Sequence, residues 1–144
     1  MIESQIFQPV VALMAWTMVM WLWMYATRIP AMSKAGLEPN QARQTKVLDD
    51  ALPAEVQWKA HNYNHLHEAP TVFYAVALVL AMIGWGDGMN ALIAWIYVGL
   101  RVIHSLVQAT ANVVMVRFVL YALSSLALMA LILHAAIAVF DIHL

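Results

Sequence analysis

The chain has 144 residues, of which 64% are hydrophobic and 10% charged, and its mean hydropathy is +0.75. Soluble domains lie near about 45–50% apolar and about 25% charged, so this is the composition of a protein dissolved in lipid. Seven Lys and Arg against eight Asp and Glu leave a net charge of −1, which provides no basic footprint for nucleic acid and no polybasic tether. Cysteine is absent, which excludes a disulfide framework, a thiolate metal site and a cysteine nucleophile, so any thiol chemistry needs a bound small molecule.

Pro9 to Thr27 is free of charge and rich in Val, Leu, Met and Trp, and predicts a first membrane span at about 8–28. Glu3 stands where a signal peptide would carry a basic residue, and the run exceeds the about 7–15 residues of a signal core, so it is read as a span. Residues 29–58 read as a long loop punctuated by Pro30, Pro39 and Pro53, with Asp49-Asp50 resembling a helix start. A second uncharged run, Ala69 to Gly86, follows a His/Asn-rich stretch that extends the helix backward, giving a span at about 61–85. It closes at Gly84-Trp85-Gly86-Asp87-Gly88, a tight turn, because glycine reaches positive φ without steric cost. The third span, about 89–109, carries Arg101 and His104; the fourth, about 117–140, is interrupted only by His134.

The expectation is an all-α, integral membrane four-helix up-down bundle, one domain over 1–144. Arg28, Lys34, Arg43, Lys46 and Lys59 crowd the first connection, the second has no basic residue, and Arg117 ends the third. The positive-inside rule then places the first and third loops in the cytoplasm and both termini on the opposite side. Asp141 and His143 read as a solvated tail, the tryptophans as interfacial anchors and the methionines as gap-filling core residues.

Arg101 falls about midway along the third span, where an arginine costs about 2.5–3.5 kcal/mol and needs compensation inside the bundle. Arg101, His104, Ser105 and Gln108 lie at i, i+3, i+4 and i+7, one face of a helix, and His61, Asn64, His65 and Glu68 repeat that spacing where the second span opens. Arg117, Tyr121 and Ser124 or Ser125 follow on the fourth span, and with alternating helices all three faces meet at the cytoplasmic end. One reading is structural: Glu68 neutralises Arg101 or Arg117, and the amides, imidazoles and hydroxyls tie helices together. The other is a site for a small zwitterionic or anionic ligand, since arginine pairs with carboxylates in bidentate fashion and a cation favours a thiolate. His61, His65 and Glu68 also match a helical metal-ligand spacing, which leaves a His/Glu metal-dependent membrane enzyme as an alternative, although no second cluster of ligands is evident.

The segment Trp58 to Tyr74, with its Asn64, Glu68, Pro70 and Phe73, together with Arg101-Val-Ile-His104-Ser and Arg117-Phe-Val-Leu-Tyr121, resembles the MAPEG family, the membrane-associated proteins in eicosanoid and glutathione metabolism. The resemblance covers nearly the whole chain. It implies a homotrimer of four-helix bundles that binds glutathione in a bent pose between neighbouring subunits near the cytoplasmic face. Asn64 and Glu68 would hold the tripeptide backbone, Glu68 meeting its amino group; Arg101 and His104 match the motif of the third span. Arg117 matches the arginine that stabilises the thiolate, and Tyr121 the tyrosine that contacts the cofactor, the two candidate catalytic residues. Arg28 or Lys34 would reach a glutathione carboxylate, and Lys59 would replace an arginine that the family carries ahead of its asparagine.

Two positions depart from the family pattern: Glu68 lies four residues after Asn64 rather than three, and Gln108 stands where glutathione-binding members often have tyrosine. The implied activity is a glutathione-dependent transferase or peroxidase acting on lipophilic electrophiles from the bilayer. The alternative is a non-catalytic lipid-binding or accessory membrane subunit, since some members bind lipids without catalysis.

Overall fold

The computed structural model describes residues 4–38, 40 and 45–142; Glu3, Pro39, Arg43 and His143 lie outside the described residues. Among the described residues there are six α-helices and no strand: α1 (Phe7–Lys34), α2 (Thr45–Ala51), α3 (Ala54–His65), α4 (Ala69–Met82), α5 (Met89–Ala109) and α6 (Val114–Val139). α1, α3 with α4, α5 and α6 make four segments long and apolar enough to cross a membrane. The four apolar runs of the sequence are therefore four spans, and the chain is a multi-pass membrane bundle.

The bounds differ from the sequence expectation in two places. α1 runs through Pro30 to Lys34, and with α2 and the start of α3 it makes much of the expected 29–58 loop helical. α2 and α3 are polar and short, so they left no apolar run to find; Pro53 caps α3 and Glu55 lies in its first turn, where the helix dipole favours an acid. The second span, expected as one helix over 61–85, is broken between His65 and Ala69. Pro70 lies in the first turn of α4. Its ring has no N–H and crowds the carbonyl four residues back, so the chain ends one helix and starts another rather than carry the proline inside a continuous one.

α5 and α6 form an antiparallel hairpin, α1 packs on α3, α4 and α5, and α4 also packs on α6. The centre is apolar and fully buried: Leu13 and Met20 from α1, Phe73 and Leu80 from α4, Ala94 and Tyr97 from α5, and Leu131 from α6. Phe73 stacks on Tyr97 with centroids 4.5 Å apart and planes at 19°. The outward surface is apolar as well, with Leu126, Met129 and Leu133 of α6 each more than half exposed, as expected where the solvent is lipid.

At one end of the bundle the glycine turn seats the start of α1. Gly84 has φ +76°, and Trp85 N–H donates to the Leu80 carbonyl at 2.8 Å, closing α4 in a left-handed cap. A Cβ on Gly86 would collide with Ser4 Oγ and lie 2.9 Å from Ile6 Cγ2, so only glycine admits the Ile6 N–H bond to the Gly86 carbonyl at 3.0 Å. Asp87 Oδ1 accepts from the Gln5 N–H at 2.6 Å. His134, in the later turns of α6, meets Asn90 Oδ1 at 2.5 Å, and the Asn90 amide donates to the Trp85 carbonyl at 2.8 Å. The ionisable and amide groups gather mainly at the opposite end.

Candidate functional site

The polar face expected on the third span is present and turned inward. Arg101, His104, Ser105 and Gln108 are exposed by 1%, 3%, 0% and 4% respectively, so α5 carries a guanidinium, an imidazole and two neutral polar groups into the bundle. Arg101 Nε donates to Tyr97 Oη at 3.2 Å, and Nη1 to His65 Nε2 at 3.4 Å. Its Cζ lies 5.0 Å from the Tyr121 ring centroid and 5.4 Å from that of Tyr97, within range of the ring quadrupoles. Nη2 has no partner. His104 Nδ1 donates to the Arg117 carbonyl at 3.0 Å, tying α5 to the first turn of α6, and its Nε2 lies 3.2 Å from the Gln108 amide.

Arg117 is held by the turn that precedes it. Asn112 adopts φ +51°, a left-handed conformation that asparagine tolerates, and its Oδ1 accepts from Arg117 Nη1 at 2.6 Å. Arg117 Nε is buried and without a partner. Between α3, α5 and α6 lies an open hollow of about 240 Å³ lined by His65, His104, Val114, Arg117, Phe118 and Tyr121. Arg101 touches two of its walls, His65 and Tyr121.

The second polar stripe does not survive the helix break. With α3 ending at His65, Glu68 is not on the i+7 position of a common face, and its carboxylate contacts neither arginine. It pairs instead with His65, Oε2 to Nδ1 at 2.7 Å, with two-thirds of its own side chain exposed. The expected neutralisation of Arg101 or Arg117 by Glu68 is thus corrected to an indirect chain, Glu68 to His65 to Arg101. Among the described residues neither arginine has a carboxylate within 4.0 Å.

The remaining candidates lie elsewhere. Asn64 and Arg28 line a second hollow of about 250 Å³ with Tyr25, Asp49, His61 and Tyr63. Arg28 Nη2 donates to Gln57 Oε1 at 2.9 Å, and its Nε is buried without a partner. Lys59 reaches the C-terminal end of α5, donating to the Ala109 carbonyl at 3.2 Å, where a cation complements the helix dipole. Lys34 is exposed at the end of α1 and lines an apolar hollow with Pro30 and Pro53. Gln108 is spent on His104. His61 pairs with Asp49 at 3.1 Å, so His61, His65 and Glu68 do not converge, and among the described residues no group of three metal-ligating side chains does.

Two groups were not singled out from the sequence. His65, read there only within a stripe and a metal spacing, is the α3 residue that lines the first hollow, and it lies three positions before Glu68, the spacing the family pattern asks of its asparagine. Asn62 is fully buried and donates to Ser105 Oγ at 2.6 Å, while Trp16 Nε1 donates to the same oxygen at 2.9 Å. One hydroxyl therefore joins α1, α3 and α5.

Four spans around a buried cationic end define an integral membrane protein with an intramembrane polar site. The model of the MAPEG family matches residues 6–137, nearly the whole chain, and the chain belongs to that family. No curated protein and no solved structure matches it.

Proposed function

We propose that the chain is a glutathione-dependent transferase or peroxidase acting on lipophilic electrophiles, with the hollow between α3, α5 and α6 as its thiol site. The observation that carries this reading is a pair of unsatisfied guanidiniums, one lining that hollow and one behind its walls: Arg117 Nε and, against His65 and Tyr121, Arg101 Nη2 are buried without acceptors. An unpaired buried donor costs about 1–3 kcal/mol, more on a charged group, and an anionic ligand removes that cost. Glutathione fits the donor set, with a thiol and two carboxylates for cations and an ammonium for an acid at the rim.

Bound there, glutathione supplies the nucleophilic sulfur. Arg117, preset by Asn112, holds the negative charge that develops on it, and Tyr121 and Phe118 form the wall against which it rests. Arg101 adds positive potential from beneath His65 and Tyr121. Glu68, exposed at the rim, receives the ammonium. Arg28 and Asn64 lie in a separate hollow of the same chain, which suits a site completed by two subunits of a homotrimer: one copy contributes Arg117, its neighbour Arg28.

The test is calorimetric binding of glutathione to the detergent-purified protein, with S-methyl glutathione as comparison. Saturable binding that weakens in Arg117→Ala supports the site. Mixed assemblies of Arg28→Ala and Arg117→Ala chains that regain part of the binding support its sharing between copies. No binding at millimolar glutathione by folded protein refutes the reading.

A second reading, a lipid-binding or accessory subunit, is favoured by a different feature. A hollow of about 550 Å³ lined by Ala12, Trp16, Val19, Trp95, Gly99 and Ile103 opens between α1 and α5 and is almost wholly apolar. Under this reading the purified protein carries lipid, detected by mass spectrometry, and binds no glutathione.

A further inference from the structure

His65 is the one imidazole at the thiol hollow whose two nitrogens face opposite charges. Nδ1 lies 2.7 Å from Glu68 Oε2, and Nε2 lies 3.4 Å from Arg101 Nη1. Arginine can only donate, so Nε2 accepts and Nδ1 carries the proton that Glu68 receives as a hydrogen bond. A carboxylate that fixes the tautomer of a histidine, with the other nitrogen left as a base, is the arrangement that equips an imidazole for proton transfer. His104 differs in that no carboxylate holds it: its Nδ1 is tied to the Arg117 backbone carbonyl and its Nε2 faces Gln108 Oε1.

We propose that His65, oriented by Glu68, is the general base and acid of the thiol site, an assignment that rests on the glutathione reading above. The S–H bond breaks with its electron pair left on sulfur beside Arg117, and the proton forms an N–H bond at His65 Nε2, which gives up its long 3.4 Å hydrogen bond from Arg101 Nη1. Glu68 steadies the resulting imidazolium through the Nδ1–H bond. Sulfur then bonds to the electron-poor carbon of a conjugated alkene, the π pair moves onto the acceptor, and that acceptor takes the same proton back from Nε2. Atoms and charge balance, and no further reactant is needed.

Groups face His65 from α5 and α6 as well as from its own segment. Glu68 lies at Nδ1 and Arg101 of α5 at Nε2, the His104 ring centroid is 5.1 Å away, Arg117 of α6 lines the same hollow, and the Tyr121 ring lies 5.7 Å from the imidazole centroid.

The experiment compares wild type with His65→Asn and Glu68→Gln in three measurements. These are glutathione binding, the ultraviolet thiolate absorbance of the complex together with the protons it releases in buffers of different ionisation heat, and kcat for a conjugated-alkene probe across pH. Expected for wild type is thiolate absorbance with little proton release, because the proton stays on His65. His65→Asn still binds glutathione saturably, loses the thiolate absorbance, and loses kcat by about 10²–10⁴-fold, with the acidic limb of the pH profile flattened and turnover partly restored by added imidazole. Glu68→Gln, at an exposed position that spares the fold, loses about fivefold in kcat. A His65→Asn protein that keeps wild-type thiolate absorbance and pH profile, or a wild type that releases one full proton per glutathione bound, overturns the assignment while leaving the site intact. A wild type that binds no glutathione refutes the site itself and the assignment with it.

Discussion

Replacing Arg101 with methionine separates a ligand site from a structural pin. Methionine fills a comparable length of apolar space, so packing is largely kept. The change forfeits hydrogen bonds to Tyr97 at 3.2 Å and His65 at 3.4 Å, both long and each worth about 1.5 kcal/mol, and two ring contacts worth about 1 kcal/mol each. Against that stand the about 2.5–3.5 kcal/mol that an arginine costs in a bilayer and the about 1–3 kcal/mol of its unpartnered Nη2. The opposing effects are similar, so the folded protein should change in stability by less than about 2 kcal/mol in either direction. Removing one member of a buried ion pair would instead cost about 3–5 kcal/mol. Equilibrium unfolding in mixed micelles measures the stability, and glutathione calorimetry on the same preparation should show affinity reduced tenfold or more. A stability loss above about 3 kcal/mol with binding intact would show that Arg101 is there to hold the helices, and the argument from its unpaired donor would be wrong.

Three further outcomes follow from particular contacts. Asn112→Gly keeps the left-handed turn but releases Arg117 Nη1, and Asn112→Asp gives that arginine a permanent carboxylate; the aspartate variant should bind glutathione at least tenfold more weakly in calorimetry and the glycine variant by less. Ser105→Ala leaves the Asn62 amide and the Trp16 indole without their shared acceptor, and thermal unfolding should report a loss of about 1–3 kcal/mol with glutathione affinity unchanged. Gly86→Ala places a Cβ against Ser4 and Ile6 at the far end of the bundle, and should cost about 1–3 kcal/mol while leaving glutathione affinity unchanged, read by unfolding and binding on one sample.

The spans were legible because a bilayer demands long uncharged runs, and Pro9 to Thr27 or Phe118 to Phe140 fit little else. The buried face of α5 was legible for a related reason: in an unbroken helix, spacing alone decides which residues share a side, and Arg101, His104, Ser105 and Gln108 do share it. The same reasoning failed over His61 to Glu68, because helical spacing holds only while the helix continues, and Pro70 ends that continuity. Asn64 and His65, adjacent in sequence, consequently line different hollows, and the residue that joins Glu68 to Arg101 is the histidine. Lys59 and Arg28 were out of reach in another way. Both are long side chains on helices whose packing partners, the end of α5 and Gln57, are set by tertiary contacts that no local pattern encodes.

The distribution of unmet hydrogen bonds weighs against a purely structural role for the polar end. Where the bundle uses polar groups as ties, it pairs their donors: Asn62 and Trp16 both reach Ser105, and Asn90 reaches the Trp85 carbonyl while it meets His134. Among the described residues, the buried side-chain donors left without acceptors belong to Arg28, Arg101 and Arg117, the other unpaired atom being the Asn62 Oδ1 acceptor. Unmet arginine donors are costly in a membrane, and a fold that only needed helices fastened together could use amides and hydroxyls throughout, as it does at Ser105. Unpaired donors confined to three arginines near one end of the bundle, two of them beside a common hollow, are what an anionic ligand would satisfy.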